Sequence, residues 1–479
     1  MSVRKGADEN NKERVVGGTE HGWCRAVSGG TGITVLAFLV SPKAADTCLL
    51  RNALHKILNA HPILRSKLRY NAATKAFSFA ISATPDIQIT PFDAPSTLQI
   101  LRSRTDSDDD VVSPSPFHII LEHELSNNAA WRNPASFPPS GADVLFASLY
   151  ALPEEGGHVM ALRFHTAVCD RTTVVSLLGE LMELMREGTL KGIKNEGEGS
   201  FGIENVVPSE KSKKRLWAHG IDMLGYSVNS FRLTNLKFND VKGPRHSLVV
   251  KLQLNLHHTS RILAGCKSAG IKLCGVLTAA GLMAAHSSRS QWDHHQQQKK
   301  KYGVVTLTDC RSILDPPLSS HHYGFYHSAI LNMHTVKGGE RLWDMAKRSY
   351  SAFENSKKTN KHFSDMADLN FLMCKAIDNP GLTASSSLRS AVITVFEEPV
   401  VYDISADIQR ELGVEDYVGC SSVHGVGPSI AIFDTVIDGK LDCACVYPSP
   451  LHSREQMHEL VDEMKRILID ATKFIDDLN

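Results

Sequence analysis

The stretch from Val144 to Met185 constrains the fold of this chain more than any other. VLFASLYAL and HVMALRFH are two runs rich in branched and aromatic residues, and PEEGG between them reads as the turn of a hairpin. The segment TTVVSLLGELMELM follows after TAVCDR, with Val174, Leu177, Leu178, Leu181, Met182 and Met185 on one helical stripe. A buried strand that runs into an amphipathic helix through so short a connector implies an α/β fold. Side chains alternate along the strand, so His165 shares a face with Val159, Ala161 and Arg163, opposite Met160, Leu162 and Phe164.

The same grammar recurs on both sides of this stretch. Ile33–Val40 reads as a buried strand, and Leu50, Leu54, Ile57 and Leu58 recur at helical spacing up to a break at Pro62. RTDSDDD at 104–110 reads as a solvated loop, and Phe117–Leu121 as a strand after it. A Gly-, Lys- and Glu-rich stretch then opens a linker. The second half supplies strands at SLVVKLQLNL, GVVTLTDCR, AVITVF, PSIAIFDTVI and LDCACVYP. Its helices are a segment near Ser260–Ser268, the small-residue helix KLCGVLTAAGLMAAH and an amphipathic one from His452. His294–Tyr302, HHQQQKKKY, reads as a low-complexity surface loop. The expected division is a first domain at 1–186, a linker or crossover at 187–244 and a second domain at 245–479, α/β with mixed sheets; 479 residues exceed one ordinary core.

Bulk chemistry narrows the partners. Lys plus Arg and Asp plus Glu both number 52, so no net field steers nucleic acid or an anionic membrane. Ten cysteines occur without CxxC pairs, the pattern of reduced thiols. MSVRKGADENNKER lacks the apolar core of a secretory signal, and no apolar run reaches the roughly 20 residues that span a bilayer. A cytoplasmic monomer acting on small molecules is the expectation, with no nucleic acid and no membrane span.

Five segments, HPILRSKLR at 61–69, GVLTAAGLMAA at 275–285, TDCRSILDPPL at 308–318, YGFYHSAI at 323–330 and CVYPSPLHSREQMHELVDEM at 445–464, resemble in that order the superfamily of CoA-dependent acyltransferases that contains the plant BAHD enzymes, the alcohol acyltransferases and the condensation domains of peptide synthetases. HPILRSKLR at 61–69 is similar to that family's HP.LR stretch, and GVLTAAGLMAA at 275–285 to its small-residue helix. TDCRSILDPPL at 308–318 resembles the BAHD DxR segment, and YGFYHSAI at 323–330 the glycine-bearing strand after it. CVYPSPLHSREQMHELVDEM resembles the closing strand and helix. The resemblance implies two chloramphenicol-acetyltransferase-like domains with an interdomain channel, acyl-CoA as co-substrate, no permanently bound cofactor and no metal. The family's DFGWG motif is absent; DYVGCSSVHGVG at 416–427 is the nearest glycine-rich segment.

The family's chemistry sits on HHxxxDG, and HTAVCDR stands in its place. His165 and Asp170 match the first His and the Asp, whereas Thr166 replaces the second His, the family's general base, and Arg171 replaces the Gly. Acyl transfer to a hydroxyl or amine needs a base for the acceptor's proton and a donor for the oxyanion. A threonine hydroxyl is no base near neutral pH, which leaves His165 as the candidate catalytic base. Two readings of His165 stay open. A bulge or early turn at the strand end would swing it toward the channel; an unbroken strand would leave it buried and bonded to backbone. Asp170 has the features of an N-cap and, by resemblance, those of the ionic partner of Arg311. Thr166, Asp170 and Arg311 are therefore expected to be structural at the site.

Other features carry less. Cys169 lies inside the motif without a basic neighbour in sequence. GGTG at 29–32 lacks the Lys-Ser/Thr ending of a phosphate loop and reads as a tight turn. HHTSR at 257–261 lacks a following Asp, and His321, His322 and His327 lack carboxylates at metal-ligand spacing. The function expected is transfer of an acyl group from acyl-CoA to a hydroxyl or amine of a small metabolite. The alternatives are a catalytically inactive binding or regulatory protein on the same fold, and condensation or cyclisation chemistry in the same cleft.

Overall fold

The computed structural model describes residues 13–42, 47–105, 114–153, 156–188, 201–214, 217, 219, 220, 223, 233–290, 299–382, 391–402 and 406–473. The loop 106–110, most of HHQQQKKKY and residues 189–200 of the linker lie outside them.

The hairpin forms from Leu145–Ala151 and His158–His165, antiparallel, with Leu145 opposite Phe164. Thr31–Val40 flanks His158–His165 on its other side, in unbroken register from Val40 opposite His158 to Ile33 opposite His165. Met160, Leu162 and Phe164 face a core made with the helices Thr47–Ala60 and Arg171–Glu187. Val159 and Ala161 face the opposite side, where Phe117, Ile120, Leu121 and Trp131 meet Val249, Ala431 and Val446 of the second half. The central strand is thus covered by apolar side chains on both faces, which is why its sequence shows no polar alternation.

Phe117–Leu121 is part of a helix, Pro116–Leu125, and not the strand that its apolar run suggests. Ser115 caps it by accepting from His118 N, and Pro116 takes the first helical position, where its missing N–H costs nothing. The helix is wedged between the halves and buried on all sides, so it lacks the one-sided stripe that marks a surface helix.

The second half builds a seven-stranded mixed sheet ordered His327–Val336, Lys300–Asp309, Ile393–Phe396, Ile430–Ile437, Lys440–Ser449 and His246–Leu254, with Val400–Tyr402 paired beside Ile430–Ile437. Helices Leu273–Ser290, Leu342–Lys358 and Arg454–Ala471 pack around one core with it. A small sheet of Glu13–Val15, Ala76–Ile81, Ser66–Asn71 and Ala142–Asp143 flanks the first half.

One strand crosses between the halves. Val414–Val423 leaves the second half and pairs antiparallel with Thr31–Val40, so the five-stranded sheet of the first half runs Val414–Val423, Thr31–Val40, His158–His165, Leu145–Ala151, Ile89–Phe92. The crossing is close. Gly30 has φ +94°, and a Cβ there would lie 2.1 Å from Nε2 of His424, whose Nδ1 is 3.0 Å from Ser247 Oγ. Glu122 adds an ionic brace, accepting from Arg454 Nη2 at 2.8 Å and from Val249 N at 2.8 Å. No single helix among the described residues is long and apolar enough to cross a membrane.

A candidate active site between the lobes

Strand His158–His165 ends in a single 3-10 turn, Thr166–Val168, before Asp170 caps the helix Arg171–Glu187. Successive motif residues consequently point in different directions. Thr166, Cys169, Asp170 and Arg171 line a cavity of about 890 Å³ between the halves. The first half adds Trp23 and Val174 to its wall, and the second adds Phe325, Leu331, Met373 and Phe433. The wall is mainly apolar, so an occupant with substantial hydrocarbon surface would gain about 25 cal/mol for each Å² it buries.

His165 does not line that cavity. It keeps the register of an unbroken strand, on the face of Val159 and Ala161, and lies edge-on to Trp131 with ring centroids 5.3 Å apart. Its Nδ1 accepts from Ala167 N at 3.2 Å, which leaves the proton on Nε2, and that atom is buried without a partner. Full burial pushes its pKa down to about 3. The imidazole is neutral, with its only free lone pair already used and its proton sealed in the core.

Thr166 occupies the position that faces the cavity. Its Oγ1 is 2.7 Å from Thr34 Oγ1, which is 2.8 Å from Ser421 Oγ, so three hydroxyls from the motif, the neighbouring strand and the crossing strand form a chain. Gly32, with φ +91°, makes room for it: a Cβ there would approach Trp23 to 2.9 Å and Thr166 Oγ1 to 3.2 Å. The Cys169 thiol is fully buried, and burial together with the Asp170 carboxylate holds its pKa well above that of a free thiol. It is no ready nucleophile.

Asp170 is the hub. It accepts from Thr173 N at 2.9 Å as helix N-cap, from Arg311 Nη1 at 2.9 Å and Nη2 at 3.0 Å, from Tyr326 N at 2.8 Å and from His327 Nδ1 at 3.0 Å. Burial alone would raise its pKa. The cation of Arg311 and the His327 contact outweigh burial and hold the carboxyl well below the usual carboxylate range. The contacts of N-cap and ionic partner therefore coexist in one side chain. Arg311 is itself buried, reaches Asp309 at 3.1 Å and lies over the Tyr326 ring.

Arg171 extends across to the second half. Nη1 donates to Asp434 Oδ1 at 3.0 Å and to the Glu398 carbonyl at 3.2 Å, Nη2 donates to the Asp434 carbonyl, and the guanidinium lies 4.2 Å from the centre of the Phe396 ring. Asp434 is fully buried, and burial pushes its carboxyl pKa up despite Arg171.

The structure separates the three histidines of the second half. His321 Nδ1 lies 2.7 Å from Glu180 Oε1, and Glu180 Oε2 holds His61 at 2.8 Å. His322 packs on Phe201 and Tyr326. Only His327 reaches the cavity wall, through the first residue of strand His327–Val336, with its ring edge toward Phe396. Sequence spacing offered one signal for it: four residues separate YGFYHSAI from the DxR segment that supplies Arg311.

Solved structures align over nearly the full length of this chain. The epimerization domain from the third module of tyrocidine synthetase B matches at 14% identity and TM-score 0.61, covering 97% of this chain and 98% of that one. The EpoB cyclization-docking bidomain from Sorangium cellulosum matches at 13% identity and TM-score 0.65, covering 98% and 87%. The first condensation domain of the calcium-dependent antibiotic synthetase, solved with a substrate analogue, matches at 14% identity and TM-score 0.60, covering 97% of each. This chain has the condensation-domain fold. No family model matches its sequence, and no curated protein does. At such identities the likeness establishes the two-lobed α/β architecture alone.

Proposed function

We propose that the protein transfers an acyl group from a thioester, acyl-CoA in the first instance, to a hydroxyl or amine of a largely apolar small molecule. One observation carries this reading: the segment Thr166–Arg171 opens on an interlobe cavity of about 890 Å³, in a fold shared with a condensation domain that was solved with a substrate analogue in place. That volume lies within the usual range for a drug-sized ligand site. Holding donor and acceptor together in it would supply effective molarities of about 10⁵ M or more before any acid–base chemistry is added. Neither His165, sealed behind the strand, nor Thr166, a hydroxyl, supplies a base in this reading.

The test is a panel of acetyl-, hexanoyl-, benzoyl- and palmitoyl-CoA, offered with 2-phenylethanol and hexylamine, with released thiol and ester or amide product measured together. Thiol and product rising in equal amounts would establish transfer. Absence of product with every donor would remove the reading. A second reading, a binding protein without turnover, is favoured by Thr166 at the position of the family's base. It predicts that palmitoyl-CoA raises the melting temperature while the thioester stays intact.

A further inference from the structure

We propose that His327, oriented by Asp170, is the general base of this site, the proton-accepting role having passed from the motif to the strand opposite it. The inference rests on the transfer reading. It begins from location: among the described residues that line the cavity, His327 is the one histidine.

The tautomer follows from the contacts. Asp170 is held ionised by Arg311 and by the backbone N–H groups of Thr173 and Tyr326, and an ionised carboxylate only accepts hydrogen bonds. The proton in the 3.0 Å contact therefore sits on His327 Nδ1, so in the neutral ring Nε2 is the nitrogen that carries the lone pair. Among the described residues Nε2 meets no hydrogen-bonding partner, and it is not one of the sealed atoms, as Nε2 of His165 is. The two imidazoles are thus opposites. His165 spends its lone pair on Ala167 N and buries its proton; His327 spends its proton on Asp170 and keeps its lone pair at the cavity wall.

The step balances without a further reactant. Nε2 takes the proton of the acceptor O–H or N–H as the acceptor's lone pair forms a bond to the thioester carbonyl carbon. The tetrahedral oxyanion then collapses, the C–S bond breaks, and the imidazolium returns the proton to the departing sulfur, leaving ester or amide and free thiol. Asp170 acts as a positioning residue that fixes the ring and its tautomer.

The experiment compares wild type with His327→Gln and with His327→Ala with and without added imidazole, each checked by circular dichroism. The donors and acceptors are those above, with p-nitrophenyl acetate as a separate probe. A positioned imidazole contributes about 10² to 10⁴ in rate, so His327→Gln should lose at least a hundredfold in kcat. Imidazole should return part of the activity of His327→Ala, which a merely structural histidine would not allow. A loss under tenfold, or His327→Ala activity unmoved by imidazole, overturns the assignment while leaving transfer intact. If wild type transfers from no donor, the transfer reading falls, and the ester probe still decides the base. Hydrolysis dependent on His327 supports a free basic imidazole in the cavity, and equal hydrolysis in wild type and His327→Gln refutes it.

Discussion

Asp170 and Arg311 stand 141 positions apart in sequence and close a two-pronged ion pair at 2.9 and 3.0 Å, fully enclosed by the protein. The pair joins the first turn of the helix Arg171–Glu187 to the loop before the strand that carries His327, so one carboxylate ties the two lobes together at the cavity. Removing one member of a buried pair leaves the other uncompensated and costs about 3–5 kcal/mol. Arg311→Met should therefore lower unfolding stability by about that amount in urea titrations. Arg311→Lys, which keeps the charge and loses the fork, should fall between it and wild type.

Arg171 and Asp434 should behave as a second coupled pair across the lobes. Arg171→Met strands a buried carboxylate, which will take up a proton, and stability should fall by about 3 kcal/mol. Arg171→Met combined with Asp434→Asn should cost at least about 1 kcal/mol less than the sum of the two single changes. Additive losses in the urea double-mutant cycle would show that the contact carries no coupling.

His165 should make the protein acid-sensitive. Its folded pKa, pushed down to about 3, lies below the ordinary value near 6.5, so the unfolded chain binds a proton that the native state refuses. This contribution is complete above about pH 6.5 and is lost as pH falls, amounting to about 2 kcal/mol between pH 7 and pH 5. His165→Phe, which preserves the aromatic contact with Trp131, should remove that part of the slope in unfolding titrations across this range. An unchanged slope would mean that His165 is protonated in the folded protein.

Much of the fold was legible because local patterns carried it. The hairpin and the helix after it follow from alternation and helical spacing within one short stretch, whereas the side on which His165 lies depended on whether the strand ended in a bulge, which only the pairing with Thr31–Val40 decides. Phe117–Leu121 misled because a helix buried all round has no period to read, and only Ser115-Pro116 hinted at its start. The crossing strand Val414–Val423 was read for its glycines; its partner, Thr31–Val40, lies nearly the whole chain away, and no local spacing states such a pairing. His327 was weighed with His321 and His322 as a metal cluster. What distinguishes it is contact with Asp170, a relation between distant segments that adjacency in sequence obscures.

Gly32 sets how much space the hydroxyl chain of Thr34, Thr166 and Ser421 has. Gly32→Ala would strain a backbone at φ +91° and press on Trp23 and Thr166 Oγ1. Stability should drop by about 1–3 kcal/mol in urea titrations, and the KM for long-chain donors should rise more than that for acetyl-CoA. Equal effects on all donors would place the pressure away from the bound acyl chain.

The crossing strand also sets an order of assembly. Until residues 414–423 leave the ribosome, Thr31–Val40 has one bare edge, and such an edge invites pairing with other nascent chains. The first lobe's sheet is therefore completed only by the last quarter of the polypeptide, so truncation before residue 414, far downstream of His165–Arg171, would remove the strand that covers that edge.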